Sequence, residues 1–342
     1  MLNFELFLRR YWLMLGIVSM SALAMLTFRH SYGPRSYSLN QVLPQPHIYE
    51  QNAQHETYEA TLVVASMKVE NTSWLDDYRP EWDKKIYVTD DQNASLNVPM
   101  NKGREAMVYL TYIIDHYDEL APVTIFHHAA RYQWHNDDPL YDGRRMLDRL
   151  QINHILSRGY ANLRCVWTLG CPAEIHPIDE QVAIHSDEDR TGTYYSEAFA
   201  ELFPGMPMPE AVGVSCCAQF AASRDKIRQR PLLDYIRFRD WLISSDLQDH
   251  VSGRILEYSW HIIFGEKAVF CPDAKTCYCQ VYGLCNLECG SEGTCESQYT
   301  LARYATMPQG WPEIGWDGET RNITKLREEQ AADYKPRLDI AG

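Results

Sequence analysis

The chain has no run of basic residues longer than a pair, and its net charge is −14 over 342 residues. Nucleic acid needs a concentrated positive face, so it is excluded as a partner. No paired C-x-x-C knuckles occur among the ten cysteines, which disfavours a structural zinc site. No internal repeat is present, so a solenoid is not expected. Long hydrophobic runs are nearly absent too, apart from one of eighteen uncharged residues, Tyr11–Phe28. What remains is 45% hydrophobic and 23% charged, the composition of a globular protein able to bury one large core or two modest ones.

The uncharged run follows Arg9 and Arg10 and is just long enough to span a bilayer. It predicts a transmembrane signal anchor in residues 1–28. Ala22-Leu23-Ala24 keeps a cleaved signal peptide as the alternative, and Arg29 and Arg35 weaken the charge asymmetry. Residues 29–58 are polar and proline-bearing, a stem holding a domain at 59–299 away from a membrane, with a polar tail at 300–342. Acceptor sequons at Asn71, Asn93 and Asn322 agree with a lumenal body in the secretory pathway (ER or Golgi), or a secreted one if the segment is cut.

Six cysteines, Cys271, Cys277, Cys279, Cys285, Cys289 and Cys295, crowd into 25 residues. In an oxidising compartment they are expected to form three bridges stapling a loop-rich flap, with Cys165–Cys171 as a fourth. Cys216 and Cys217 are adjacent, and geometry disfavours a bridge between them.

Ala60–Ser66, Lys85–Thr89 and Val123–Phe126 are buried-strand runs, with a turn or short helix near Thr72–Asp77. Between the second and third strands, Ala106, Tyr109, Leu110, Ile113, Ile114 and Tyr117 repeat at helical period, with Asn101 placed to cap the start. Strands alternating with helices predict an α/β fold with a mostly parallel sheet flanked by helices. Further on, helical spacing covers Arg144–Leu156, Val212–Phe220 reads as a strand, and Ser223 caps a helix with Asp225 in its first turn. Leu232–Ile243 and Gly253–Phe264 read as helices, the latter apolar nearly all round.

Ligands of open α/β sheets sit beyond the carboxyl ends of the strands. That places His127 and His128, then Arg131, Trp134, His135 and Asp137, where a site is expected. Adjacent strand residues point to opposite faces, so one histidine packs beneath the sheet. With His135 and Asp137 the pair can ligate a transition metal, though the spacing matches no standard zinc pattern. Lys102 and Arg104 beside Gly103 form a helix N-terminus suited to a diphosphate, or simply a solvated first turn. Glu257 and His261 are four apart, a general base with its proton relay or a structural hydrogen bond at the core edge.

The stretches LVVASMKVENTSWL, IYVTDD, NKGREAMVYLTYIIDHYDELAPVTIFHH, CAQFAASRDKIRQRPLLDYIRFRDWL and GRILEYSWHIIFG, then CP…CYC…YGLC, resemble the fungal domain-of-unknown-function family 3431 over residues 62–285. That resemblance implies secretory-pathway or membrane-anchored proteins, some from secondary-metabolite gene neighbourhoods. More distantly, a strand, N-x-G-R-E, a helix and a strand ending in F-x-H resemble nucleotide-sugar glycosyltransferases of the GT-A (Rossmann-like) fold. The likeness implies transfer of a sugar from a nucleotide-sugar donor to a hydroxyl acceptor. Glu70 and Trp74 would then lie near the nucleotide, and Lys102, Arg104, His127, His128 and Arg131 near the diphosphate. Trp134, His135 and Asp137 would take the acceptor side, with Glu257 as base and His261 beside it. His127-His128-Ala129 stands where Asp-x-Asp would hold a divalent metal, which leaves open a divalent metal or a metal-free route in which Lys102, Arg104 and Arg131 hold the diphosphate. The alternatives are a non-catalytic scaffold or binding protein of the same fold, and a metal-using tailoring enzyme of secondary metabolism.

Overall fold

The computed structural model describes residues 59–178, 191–296 and 306–333. The apolar run 11–28 and the stem lie outside them. Among the described residues no helix is long and apolar enough to cross a membrane.

Five strands form the central sheet: β1 (Ala60–Ser66), β2 (Asp83–Val88), β3 (Val123–His128), β4 (Tyr160–Asn162) and β6 (Phe220–Ser223). Their order is β2-β1-β3-β6-β4. β2, β1 and β3 run parallel, and β6 is antiparallel to both β3 and β4. Four strands therefore share one direction, the mostly parallel α/β sheet that the strand pattern predicts. A parallel ribbon of β5 (Gly213–Val214) and β7 (Val269–Phe270) lies outside it.

β1 and β3 are buried at every residue, as expected for strands covered on both faces. The period-two rule divides them between two cores. Val63 and Phe126 face a core shared with the helix α1 (Glu105–Asp115), whereas Leu62, Val64 and Ile125 face a second one on the opposite side. The same rule separates the two histidines ending β3.

Several helices differ from their sequence patterns. The pattern over Arg144–Leu156 breaks into α2 (Gly143–Asp148) and α3 (Ile152–Arg158), because the intervening turn gives its Gln151 N–H to Val281 O (2.8 Å). α4 covers Thr191–Leu202 and α5 Arg224–Arg228, the latter capped by Ser223 as expected. α6 spans Leu232–Ser244. The apolar stretch Gly253–Phe264 is not one helix. It divides into α7 (Asp249–Glu257) and α8 (Trp260–Ile263), with the Ser259 hydroxyl turned back onto Ile255 O (2.7 Å). Nor does Asn101 cap α1. Asp249, from α7, accepts from Gly103 N (2.6 Å) and Arg104 N (3.4 Å) instead.

That contact depends on two glycines. Gly103 has φ +70°, and a Cβ there would meet Leu242 at 2.5 Å. A Cβ on Gly253 would press on the Gly103 carbonyl at 3.1 Å. The absent side chains let α7 lie directly against the turn that opens α1.

The cysteines pair differently from the expectation. Cys165 bridges Cys277 and Cys171 bridges Cys271, so Cys165 and Cys171 do not join each other. The C-terminal cluster closes only Cys279–Cys285 and Cys289–Cys295 within itself. Pairing of β5 with β7 draws Cys271 towards the segment holding Cys171, a long-range proximity that spacing does not encode. The cluster is also less loop-like than expected, since α9 (Ala274–Tyr282) buries Ala274, Cys277, Tyr278 and Val281 in the second core. Cys216 and Cys217 do bridge each other. Cys217 (φ +89°) and Ala218 (φ +49°) turn left-handed there, which also breaks the expected strand Val212–Phe220 into β5 and β6. A last helix, α10, covers Ile323–Asp333 within the tail.

Candidate functional site

Beyond the carboxyl end of β3 lies a small cleft of about 50 Å³ that opens to solvent. Its walls come from five segments of the chain, one of them the loop carrying Leu169 and Glu174. Arg104 and Glu105 open α1, His128 closes β3, Trp134 and His135 follow it, and Arg254 and Glu257 stand one turn apart on α7. Cys217 and Ala218, from the left-handed turn, form the remaining side.

His128 is the hub. Its Nδ1 lies 2.9 Å from Glu105 Oε1 and its Nε2 lies 2.7 Å from the Cys217 carbonyl. Burial works against its charge, but the Glu105 carboxylate outweighs that and raises its pKa above the usual histidine value. Glu105 responds in the opposite sense. Burial would raise it, yet the charge and hydrogen bond of His128 hold it below the ordinary carboxylate range. His135 Nδ1 is 3.0 Å from His128 Nε2, and burial together with the neighbouring positive charge pushes its pKa well down.

Glu257 accepts from Cys217 N at 2.5 Å. Burial raises its pKa, the Cys217 N–H offsets part of the rise, and the Glu105 charge adds to it. The cleft thus holds Glu257 with its pKa raised, His128 paired with Glu105, and the guanidinium groups of Arg104 and Arg254.

Other residues singled out by the sequence lie elsewhere. His127 is on the opposite face of β3, fully buried, its ring edge-on to Trp74 at 6.1 Å and its Nδ1 2.8 Å from His128 O. Burial lowers its pKa to about 3, so it is neutral. Trp74 gives its indole N–H to Ala129 O (2.8 Å), and Glu70 accepts from Met67 N (2.7 Å) in an exposed turn. Lys102 reaches the Ser245 carbonyl, away from the cleft. Arg131 is held by Asp142 through two 2.8 Å bonds. Asp137 is buried under the loop, accepting from Cys165 N, Val166 N and the Tyr278 hydroxyl. His261 does not pair with Glu257: the break after α7 turns its Nε2 to Ala268 O (2.8 Å), and burial lowers its pKa to about 4.

His127, His128, His135 and Asp137 therefore do not converge as a ligand set. Among the described residues, one group brings three donor atoms of metal-ligating types together, Cys216, Cys217 and Glu257, within 4.8 Å. Its two sulfurs are spent on each other. Asn71, Asn93 and Asn322 are all exposed.

Sequence reasoning missed Glu105, Arg254 and Cys217. Arg254 was visible as a cation one helical turn before Glu257. Glu105 was visible as an acid in a first turn, where it passes for a dipole partner. Nothing local marks Cys217, because its contribution is its peptide group.

A family model described as "Protein of unknown function (DUF3431)" matches residues 62–280. No curated protein and no solved structure matches the chain.

Proposed function

We propose that this chain, which belongs to the DUF3431 family, is a transferase of the secretory pathway that moves a sugar from a nucleotide-sugar donor to a hydroxyl acceptor. The observation carrying this reading is that Glu257 and His128, distant in sequence, face one cleft beyond the carboxyl end of a parallel strand.

In the proposed step the Glu257 carboxylate takes the proton of the acceptor hydroxyl. The freed oxygen attacks the anomeric carbon from the face opposite the leaving group, with inversion. The bond from that carbon to the diphosphate oxygen breaks, and the diphosphate departs with the electron pair. A base with a raised pKa suits this task near neutral pH. Arg104, Arg254 and the charged His128 supply positive charge to the leaving diphosphate, a role a divalent metal otherwise takes. Trp134 offers an apolar wall for a sugar ring.

Compartment and anchoring belong to the same proposal. All ten cysteines are paired, which favours an oxidising environment. The apolar run 11–28 is proposed as the membrane anchor of a lumenal domain.

The test is titration of the purified domain with UDP- and GDP-sugars, with and without Mn²⁺, followed by assay for transfer to small hydroxyl acceptors. Glu257→Gln is expected to lower turnover by about 10²- to 10⁴-fold while leaving donor binding in place. Donor binding without turnover in the wild type, unchanged by that substitution, points instead to a binding protein of the same fold. No binding of any nucleotide sugar overturns the proposal.

A further inference from the structure

The peptide of Cys217 touches two of the ionisable groups of the cleft, Glu257 and His128. Its N–H donates to Glu257 Oε1 at 2.5 Å, and its carbonyl lies 2.7 Å from His128 Nε2. The other nitrogen of His128 faces the Glu105 carboxylate at 2.9 Å. A carbonyl and a carboxylate only accept hydrogen bonds, so an imidazole held between them carries a proton on each nitrogen. His135 Nδ1, 3.0 Å from the same Nε2, then presents a lone pair, and its own proton sits on Nε2. One chain of hydrogen bonds thus runs from Glu105 through His128 and the Cys217 peptide to Glu257.

Two things hold that peptide in place. The chain is left-handed at Cys217 and Ala218, a conformation L-residues adopt rarely. The Cys216–Cys217 bridge ties the turn shut, with the buried Arg164 guanidinium 3.1 and 3.0 Å from its two sulfurs. Cys217 lines the cleft at 5% exposure and Cys216 is buried at 1%, so a small reductant reaches the sulfurs from the cleft side when the turn opens locally.

We propose that the Cys216–Cys217 disulfide is a redox-sensitive positioning element: closed, it aligns Glu257 and His128 through the Cys217 peptide, and opened, it releases both. Opening is a two-electron exchange with a dithiol. The S–S bond breaks, two S–H bonds form on Cys216 and Cys217, and the two sulfurs of the dithiol become joined in its own disulfide. The Arg164 charge favours the thiolate that leaves first. Freed from the ring, the peptide turns away, Glu257 loses an N–H donor and His128 loses an acceptor. Glu105, His135 and Glu257 are the other titratable groups facing His128, and Arg104 and Arg254 are the cations beside them. For its effect on turnover this inference rests on the transferase reading; its structural part does not.

The experiment uses the full chain with ¹⁵N-labelled histidine, titrated by NMR, the His128 signal being identified by its loss in His128→Gln. In the wild type His128 is expected to stay charged through neutral pH. In Cys216→Ala/Cys217→Ala its midpoint is expected to fall by about one pH unit, the size of one lost charge-assisted hydrogen bond. Cys279→Ala/Cys285→Ala, which removes a bridge in another part of the fold, is expected to leave it in place. An unchanged His128 midpoint in a natively folded Cys216/Cys217 variant overturns the proposal. If that variant does not fold, stepwise dithiothreitol reduction of the wild type, mapped by mass spectrometry, decides. The His128 shift must track opening of Cys216–Cys217, and a shift that follows another bridge, or none, overturns the idea. A His128 shift in a protein with no sugar transfer in either redox state supports the positioning role and sinks only the transferase reading.

Discussion

The Oδ1 atom of Asp249 lies 2.6 Å from the backbone nitrogen of Gly103, so α1 starts on a carboxylate supplied by another helix. An anion does occupy this N-terminus, as the dipole and free N–H groups require, but it is the chain's own. The contact fixes Arg104 at the mouth of the cleft and joins it to the helix that carries Arg254 and Glu257.

Replacing Asp249 with Ala is expected to destabilise the protein by about 1–2 kcal/mol, the usual cost of a lost cap. Donor affinity should fall as well, because the Arg104 turn loosens. Asp249→Asn, which keeps an acceptor oxygen, should recover most of the stability. Urea midpoints of the three proteins check this, and a neutral alanine substitution contradicts the clamp.

Acid should unfold the protein through His127 and His261. Both are buried, with pKa values of about 3 and about 4, against an ordinary value near 6.5. An unfolded histidine takes up its proton below about pH 6.5 while the folded one does not. The stability is therefore complete above that pH and is lost as pH falls towards 4 for His261 and 3 for His127. Each histidine contributes a slope of about 1.4 kcal/mol per pH unit in its window. Denaturation at pH 7 and pH 5 should show the loss, and His127→Gln or His261→Gln should flatten it.

The two long-range disulfides should outweigh the local ones. Cys165–Cys277 spans 112 residues and Cys279–Cys285 only 6. Chain-entropy reasoning predicts about 5 kcal/mol lost on removing the first pair and about 2 kcal/mol for the second. Alanine pairs compared by denaturant unfolding test the order, and equal losses contradict it.

Secretion should leave a mark on Asn71 and Asn93, both exposed and both in acceptor triplets. Expressed from its own N-terminus in a eukaryotic host, the protein should lose mass on glycan removal, by one glycan fewer in each Asn→Gln variant. No mass change in any of them argues against a lumenal body.

The strands β1 and β3 and the helix between them were legible because burial writes itself into period and composition. Opposite orientation of His127 and His128 followed from the pleat alone. Less was legible where an outcome depends on distant partners. Glu257 and His261 look like a pair at helical spacing, yet the helix ends between them and each serves a different neighbour.

By itself, the sequence determined the alternating α/β architecture, the face each strand residue takes and that its clustered cysteines form disulfides, since these depend on local pattern and count. Tertiary structure alone decided which sulfurs join, which carboxylate caps α1, and that a peptide bond at Cys217 links His128 to Glu257. Those outcomes rest on contacts between segments tens to hundreds of residues apart. No local periodicity records which backbone amide will meet which side chain once the sheet has formed.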